Sequence, residues 1–174
     1  AVRTLNPDGS EQRVVYGVPG NRNSPDLSNP DRYEPTPWEV YTYDENDNAG
    51  RSHPAESGAY RAHWNTPASV LQDSLGRVVR AVERNGTNPG DWYSTESEYD
   101  IRGNIVLVRD QKGRDAFTYV YDLTPRDEDD EEDEGPNVWR IWNFDAGTRR
   151  VVFDAQGKEI ERRDSKGALI LQAY

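Results

Sequence analysis

The chain has 174 residues, of which 33% are hydrophobic, with a mean hydropathy of -1.03 and a formal net charge of -11. The absence of cysteine excludes disulfides, thiolate metal sites and a cysteine nucleophile, and an acidic chain without a basic stripe is a poor partner for nucleic acid or anionic membranes. So low an apolar content suits a one-layer sheet with a wet face better than a single packed core, and no apolar run approaches the length of a membrane span.

Ala1 opens no secretory leader, and the chain reads as an interior segment of a longer protein. Val2–Leu5 and Gln12–Tyr16 flank Asn6-Pro7-Asp8-Gly9, a hairpin with an x-Pro-Asp-Gly turn. Gly17–Pro37 is rich in Pro, Asn and Ser without an apolar period, which predicts a long, exposed, irregular connection. Trp38–Asp44 alternates as a strand, with Tyr41 and Tyr43 on one face and Val40 and Thr42 on the other.

Asp44, Asn46 and Asn48 occupy the first, third and fifth places of a calcium loop. The required glycine and glutamate each fall one place late, at Gly50 and Glu56, so an Asx-rich turn is the better reading. His53 and His63 have no zinc-pair spacing and read as partly buried polar residues. Thr66-Pro67 could cap a short helix through Gln72, but the spacing favours a strand over Ala68–Gln72. Helix is expected only as a turn or two near Ser52–Leu71. Val78–Glu83 is the next strand, Asn85-Gly86 a turn and Thr87–Trp92 a loop. After Leu123 the acidic run Asp127–Glu134 holds most of the excess negative charge. Eight like charges cannot join a core, so an exposed, dispensable excursion is expected there; cation binding is the minor alternative. Strands resume at Val138–Phe144, Arg149–Phe153, Lys158–Arg162 and Ala168–Tyr174.

The punctuation repeats. Asp-x-x-Gly occurs five times, at Asp73 and Gly76, Asp100 and Gly103, Asp110 and Gly113, Asp154 and Gly157, and Asp164 and Gly167, with two pairs of aspartates spaced ten residues apart. A shorter copy stands at Asp145-Ala146-Gly147. An aspartate can close an Asx-turn, and a glycine supplies the positive φ that ends a hairpin loop. Gly103, Gly113, Gly157 and Gly167 are therefore expected at positive φ, with Gly103→Val more damaging than Gly20→Val. Aromatics precede aspartates at Tyr43, Tyr99, Tyr121, Phe144 and Phe153, and Phe117, Tyr119 and Tyr121 share one strand face. Rings at equivalent places on adjacent strands can stack as ladders, the favoured reading, or form a carbohydrate platform.

These Tyr-Asp-x-x-Gly units resemble the YD repeats of the RHS class. Pro35-Thr36-Pro37-Trp38, Thr42–Arg51, His63–Ser69 and Ile160–Leu169 are similar to strings in the B/C cocoon component of bacterial insecticidal Tc toxin complexes. The resemblance covers most of the chain and is weakest at 21–31 and 126–137. It implies an all-β fold, an antiparallel meander of hairpins forming a strip of a β-shell with long irregular loops. Residues 1–174 would be one shell segment and 124–137 an acidic flexible insertion. It further implies a secreted, non-enzymatic part that encloses a cytotoxic polypeptide, without a cofactor. Its partners would be the rest of the shell, the enclosed polypeptide and other toxin-complex subunits. The alternative is a carbohydrate or cell-surface binding module.

No residue pattern points to catalysis. The repeated aspartates already have turn roles, there is no Gly-x-Ser-x-Gly elbow, and no phosphate loop or dinucleotide fingerprint appears. In the resembled family a self-cleaving aspartyl protease lies near the end of the repeat shell. None of its motif is matched, so that activity is not carried over.

Overall fold

The computed structural model describes residues 2–21, 25–54, 61–122 and 137–174. The acidic run Asp127–Glu134 lies outside them. The chain divides into two compact units, Ala1–Glu96 and Ser97–Tyr174.

The first unit is an antiparallel meander: β1 (Val2–Leu5), β2 (Glu11–Tyr16), β3 (Glu39–Tyr43), β4 (Ala68–Gln72), β5 (Val78–Arg84) and the start of β6 (Trp92–Tyr99). Each strand pairs with the next in the chain, with Val15 opposite Tyr41 and Tyr41 opposite Ser69. Along β3, Glu39, Tyr41 and Tyr43 are buried, so the tyrosine face of the alternation is the inward one. Ala68–Gln72 is a strand, as the spacing favoured.

Two expectations fail here. Residues 17–37 are not simply an exposed irregular connection. Val18 bridges Glu34, Pro30–Arg32 form a 3-10 turn, and Leu27 and Tyr33 are buried with Val15, Tyr41 and Tyr43 in the core. Single apolar residues in a Pro/Asn/Ser background carry no period, so pattern reading passes over them. The Asx-rich stretch after Tyr43 is a helix, α1 (Glu45–Ser52), not a turn, and it precedes the place where helix was expected. Asp44 accepts from the Asp47 amide and Asp47 returns a carboxylate oxygen to the Asp44 amide, both at 2.9 Å. This is a capping box with Asp in the third position. The helix was hidden because its buried residues, Asp47 and Asn48, are polar.

In the second unit, β7 (Ile105–Arg109), β8 (Asp115–Tyr121), β9 (Val138–Asn143), β10 (Gly147–Phe153), β11 (Glu159–Arg163) and β12 (Leu169–Leu171) again pair antiparallel in chain order. Among the described residues of this unit, only Asp122 is buried. The strands carry half-buried side chains on both faces, as a single layer must when nothing described packs over it. The last strand leaves Leu169, Ile170 and Leu171 at least half exposed.

The glycine expectation needs correction at two places. Gly103, Gly113, Gly157 and Gly167 have φ of 88°, 72°, 79° and 85°. Gly76 was not in that expectation, yet it stands at 77° in the exposed turn between β4 and β5 and belongs with them. Gly20, the intended contrast, stands at 72° as well. A β-carbon at Gly20, Gly76 or Gly103 would meet nothing within 4 Å, so the cost at each is backbone strain alone. Gly103→Val and Gly20→Val are expected to lower the thermal midpoint by similar amounts, each by about 1–2 kcal/mol of stability. Paired melting curves check this.

Candidate functional site

The aspartate turns share one geometry. In each, the aspartate amide donates to the carbonyl four residues on, and the glycine amide donates back to the aspartate carbonyl. In the first copy Asp73 donates to Arg77 at 2.9 Å and Gly76 to Asp73 at 3.0 Å. The carboxylate Oδ1 then accepts two further amides, those at the second and fourth residues after it. For Asp110 these are Lys112 at 2.8 Å and Arg114 at 3.0 Å, and the same pair of bonds recurs at Asp73, Asp100, Asp154 and Asp164. A tight turn followed by a left-handed glycine makes a bulged hairpin, and the register shifts beside the turn at Leu71/Gln72, Val108/Arg109 and Val152/Phe153.

Asn6-Pro7-Asp8-Gly9 is a further copy that the aspartate pattern missed. Asn6 bonds to the Ser10 carbonyl at 2.9 Å, Gly9 to the Asn6 carbonyl at 3.0 Å, and Gly9 has φ 85°. The hairpin turn read there from Asn6-Pro7-Asp8-Gly9 is thus the same turn with Asn in the place of Asp. In the shorter copy the turn acceptor is Asn143, whose Oδ1 takes the Asp145 and Ala146 amides, and not Asp145.

Where arginine follows the glycine, it grips its own turn. Arg77, directly after Gly76, and Arg114, directly after Gly113, each place Nε and Nη2 on Oδ2 of Asp73 and Asp110, at 2.6–2.8 Å. These arginine bonds, with the turn amides, hold both carboxyls below the ordinary 3.8. At Asp100, desolvation opposes ionisation, but the Asn104 and Arg102 hydrogen bonds outweigh it. A depressed carboxyl contributes stability that is complete above its unfolded value and lost as pH falls through its folded value. Acidification should therefore loosen these turns, and Asp110→Asn should flatten the acid limb of the midpoint-against-pH curve. A limb as steep as the wild type's would contradict that role.

The five pre-aspartate aromatics are not brought together. Tyr43 is fully buried, while Phe144 is half exposed beneath the Arg114 guanidinium at 4.4 Å. Tyr99, Tyr121 and Phe153 are half-buried, and Tyr121 donates to the Ile105 carbonyl at 2.8 Å. The ring stacks run along a strand instead: Phe117 on Tyr119 at 6.1 Å and Tyr119 on Tyr121 at 6.3 Å.

The first unit holds a polar cluster that pattern reading reached only in part. The Tyr43 hydroxyl donates to the Leu27 carbonyl at 3.0 Å, so the Tyr33 hydroxyl, 2.5 Å away, donates to Tyr43. Tyr41 donates to Glu39 and meets Tyr33 edge to face at 5.2 Å. Arg84 lies over the Tyr41 and Trp92 rings and donates to the Pro67 carbonyl. Burial raises all three tyrosine hydroxyls, with Tyr43 pushed up to about 12. Beside this cluster a polar cavity of about 320 Å³ is lined by Asp44, Asp47, His63, Thr66 and Arg84 among others. Burial raises the Asp47 carboxyl, yet its two oxygens already accept from the Asp44 amide and from the Thr66 amide and hydroxyl. It fastens α1 to the start of β4. Among the described residues no group of three or more His, Asp or Glu could hold a metal.

The strands follow one another as antiparallel neighbours, and among the described residues seven of their connections are closed by an aspartate or asparagine turn with a left-handed glycine. No protein-family model and no curated protein matches the sequence. Solved structures do share the fold. The Photorhabdus luminescens Tc holotoxin pore with a mutated TccC3 superposes at a TM-score of 0.71 and 20% identity, over 99% of this chain and 7% of that one. The crystal structure of TcdB2-TccC3 without its hypervariable C-terminal region gives a TM-score of 0.70 at 20% identity over the same shares. The chain thus spans about 7% of the length of the chains it matches.

Proposed function

We propose that the chain is a structural, non-catalytic strip of a YD-repeat shell that encloses a cytotoxic polypeptide in a secreted, bacterial Tc-type toxin complex. One observation carries this reading: the described part of the second unit is a single layer in which Asp122 alone is buried. A lone layer with half-apolar faces is poorly suited to stand by itself. As a shell wall it gives one face to an enclosed chain and the other to water. The likeness of nearly the whole chain to a stretch of the Tc toxin structures supports it. The test is electron microscopy of the protein expressed with its flanking sequence. A closed hollow particle with internal density is expected; a solid globule sinks the proposal.

A second reading, carbohydrate binding, draws on the Phe117–Tyr119–Tyr121 stack, of which Phe117 is 37% exposed. Saturable glycan binding lost in Tyr119→Ala would favour it over the shell.

A further inference from the structure

Asp8-Gly9 and Asn85-Gly86 are the places where an Asp or Asn stands directly before glycine, and the first unit treats them oppositely. At Asp8-Gly9 both groups are engaged. The Gly9 amide donates to the Asn6 carbonyl at 3.0 Å, and the Asp8 carboxylate accepts the Ser10 amide at 2.9 Å. At Asn85-Gly86 the corresponding groups are not. Asn85 is exposed directly after β5, and among the described residues neither its carboxamide nor the Gly86 amide has a hydrogen-bond partner. Glycine also has no β-carbon to hold its amide away from the side chain before it. Two other asparagines in turns, Asn104 and Asn143, precede Ile105 and Phe144. Their carboxamides are held, the first on Asp100 and the second by the Asp145 and Ala146 amides.

We propose that Asn85-Gly86 is a self-modification site, where Asn85 deamidates through a succinimide and the isoaspartate product releases Trp92 from this loop. The Gly86 nitrogen gives its proton to hydroxide and attacks Asn85 Cγ. The new C–N bond closes a five-membered ring, the Cγ–Nδ2 bond breaks, and the leaving nitrogen takes a proton from water and departs as ammonia. Water then opens the ring, at Cγ to leave aspartate or at the main-chain carbonyl to leave isoaspartate. One water is consumed, one ammonia is released, and nothing is oxidised or reduced. Isoaspartate adds a methylene to the main chain between residues 85 and 86. That lengthening falls where the loop is fastened: the Asn85 amide donates to the Asp91 carbonyl and Trp92 Nε1 donates to the Gly86 carbonyl, each at 3.0 Å. The Asp91 carboxylate also packs against Gly86, its Oδ2 3.1 Å from where a β-carbon would stand, so the loop has little room to absorb the extra atom. Displacing the Gly86 carbonyl frees the Trp92 ring, which covers the Arg84 guanidinium at 4.7 Å.

The test ages the full 174-residue chain in mildly alkaline buffer, followed by peptide mass mapping and labelling of isoaspartate with an isoaspartyl methyltransferase. The peptide that carries Asn85 should gain the mass of an amide-to-acid conversion and accept methyl groups before those of Asn104 and Asn143, with the Asp8 peptide unlabelled. An Asn85 peptide that stays unchanged, or equal labelling at Asp8, overturns the proposal. The aged chain should melt about 2–4 °C below the fresh one. Asn85→Asp has the carboxylate without the extra main-chain atom and should melt close to the fresh wild type, and aged Asn85→Gln should keep its midpoint. An aged wild type that melts like the fresh one, an Asn85→Asp variant that shows the whole loss, or an equal loss in aged Asn85→Gln overturns the release of Trp92.

Discussion

Tyr43→Ala should cost the chain about 3–5 kcal/mol, the range for deleting a buried aromatic side chain, and lower its thermal midpoint accordingly. The ring is fully buried at the centre of the first unit, with the Arg51 guanidinium 5.2 Å from its centroid. Its hydroxyl accepts from Tyr33 and donates to the Leu27 carbonyl, so it ties residues 25–33 to β3. Tyr43→Phe keeps the ring and separates the two contributions. It leaves a buried hydroxyl and a carbonyl without their shared partner, a loss of about 1–3 kcal/mol. Equal melting curves for wild type and Tyr43→Phe would show that the hydroxyl pair contributes nothing. The alkaline side follows from the same burial. Because Tyr43 is pushed up to about 12 from an ordinary value of 10.0, the neutral ring's contribution is complete below the ordinary value and is lost as pH rises through the folded one. Tyr33 and Tyr41 are shifted in the same direction and add to that loss.

Asn48→Ala is expected to cost about 2–3 kcal/mol, more than an ordinary helix-surface substitution. Asn48 has no exposed surface. Its Nδ2 donates to the carbonyls of Glu11 and Asp44, each at 2.9 Å, and its Oδ1 accepts Nε and Nη2 of Arg51 at 3.2 and 2.6 Å. Alanine leaves the Glu11 carbonyl and the Arg51 fork short of a partner at once, and loosens α1 from β2. Chemical denaturation of the pair of proteins measures it. A change under about 0.5 kcal/mol would mean that water takes over every bond, and the network would then be incidental.

The turns are the part of the fold most legible in the chain. Asp-x-x-Gly is local chemistry: the carboxylate and the glycine act within five residues, so Asp73 to Arg77 and Asp110 to Arg114 carry their whole geometry in sequence. Strand alternation was equally local, and it put Tyr41 and Tyr43 together on one face before the register with Val15 was known. What pattern reading passed over has a common cause. Leu27 and Tyr33 are single apolar residues in a polar stretch, α1 buries Asp47 and Asn48 on a face without apolar residues, and Arg84 looks like any charge at a strand end. Their burial is decided by distant partners, which no local period encodes.

The amino-acid sequence by itself therefore determined the five aspartate turns and the strand alternation, because each rests on contacts within one turn or one strand. Only the tertiary structure decided which tyrosine is buried, that a polar helix follows β3, and that Arg140, Arg150 and Arg163 stand in one row. Those depend on register. Arg140 and Arg150 are ten residues apart in the chain, as ordinary as any two surface charges, until antiparallel pairing sets them face to face. A shift of one residue along β10 would turn one of the two side chains to the other face and dissolve the row.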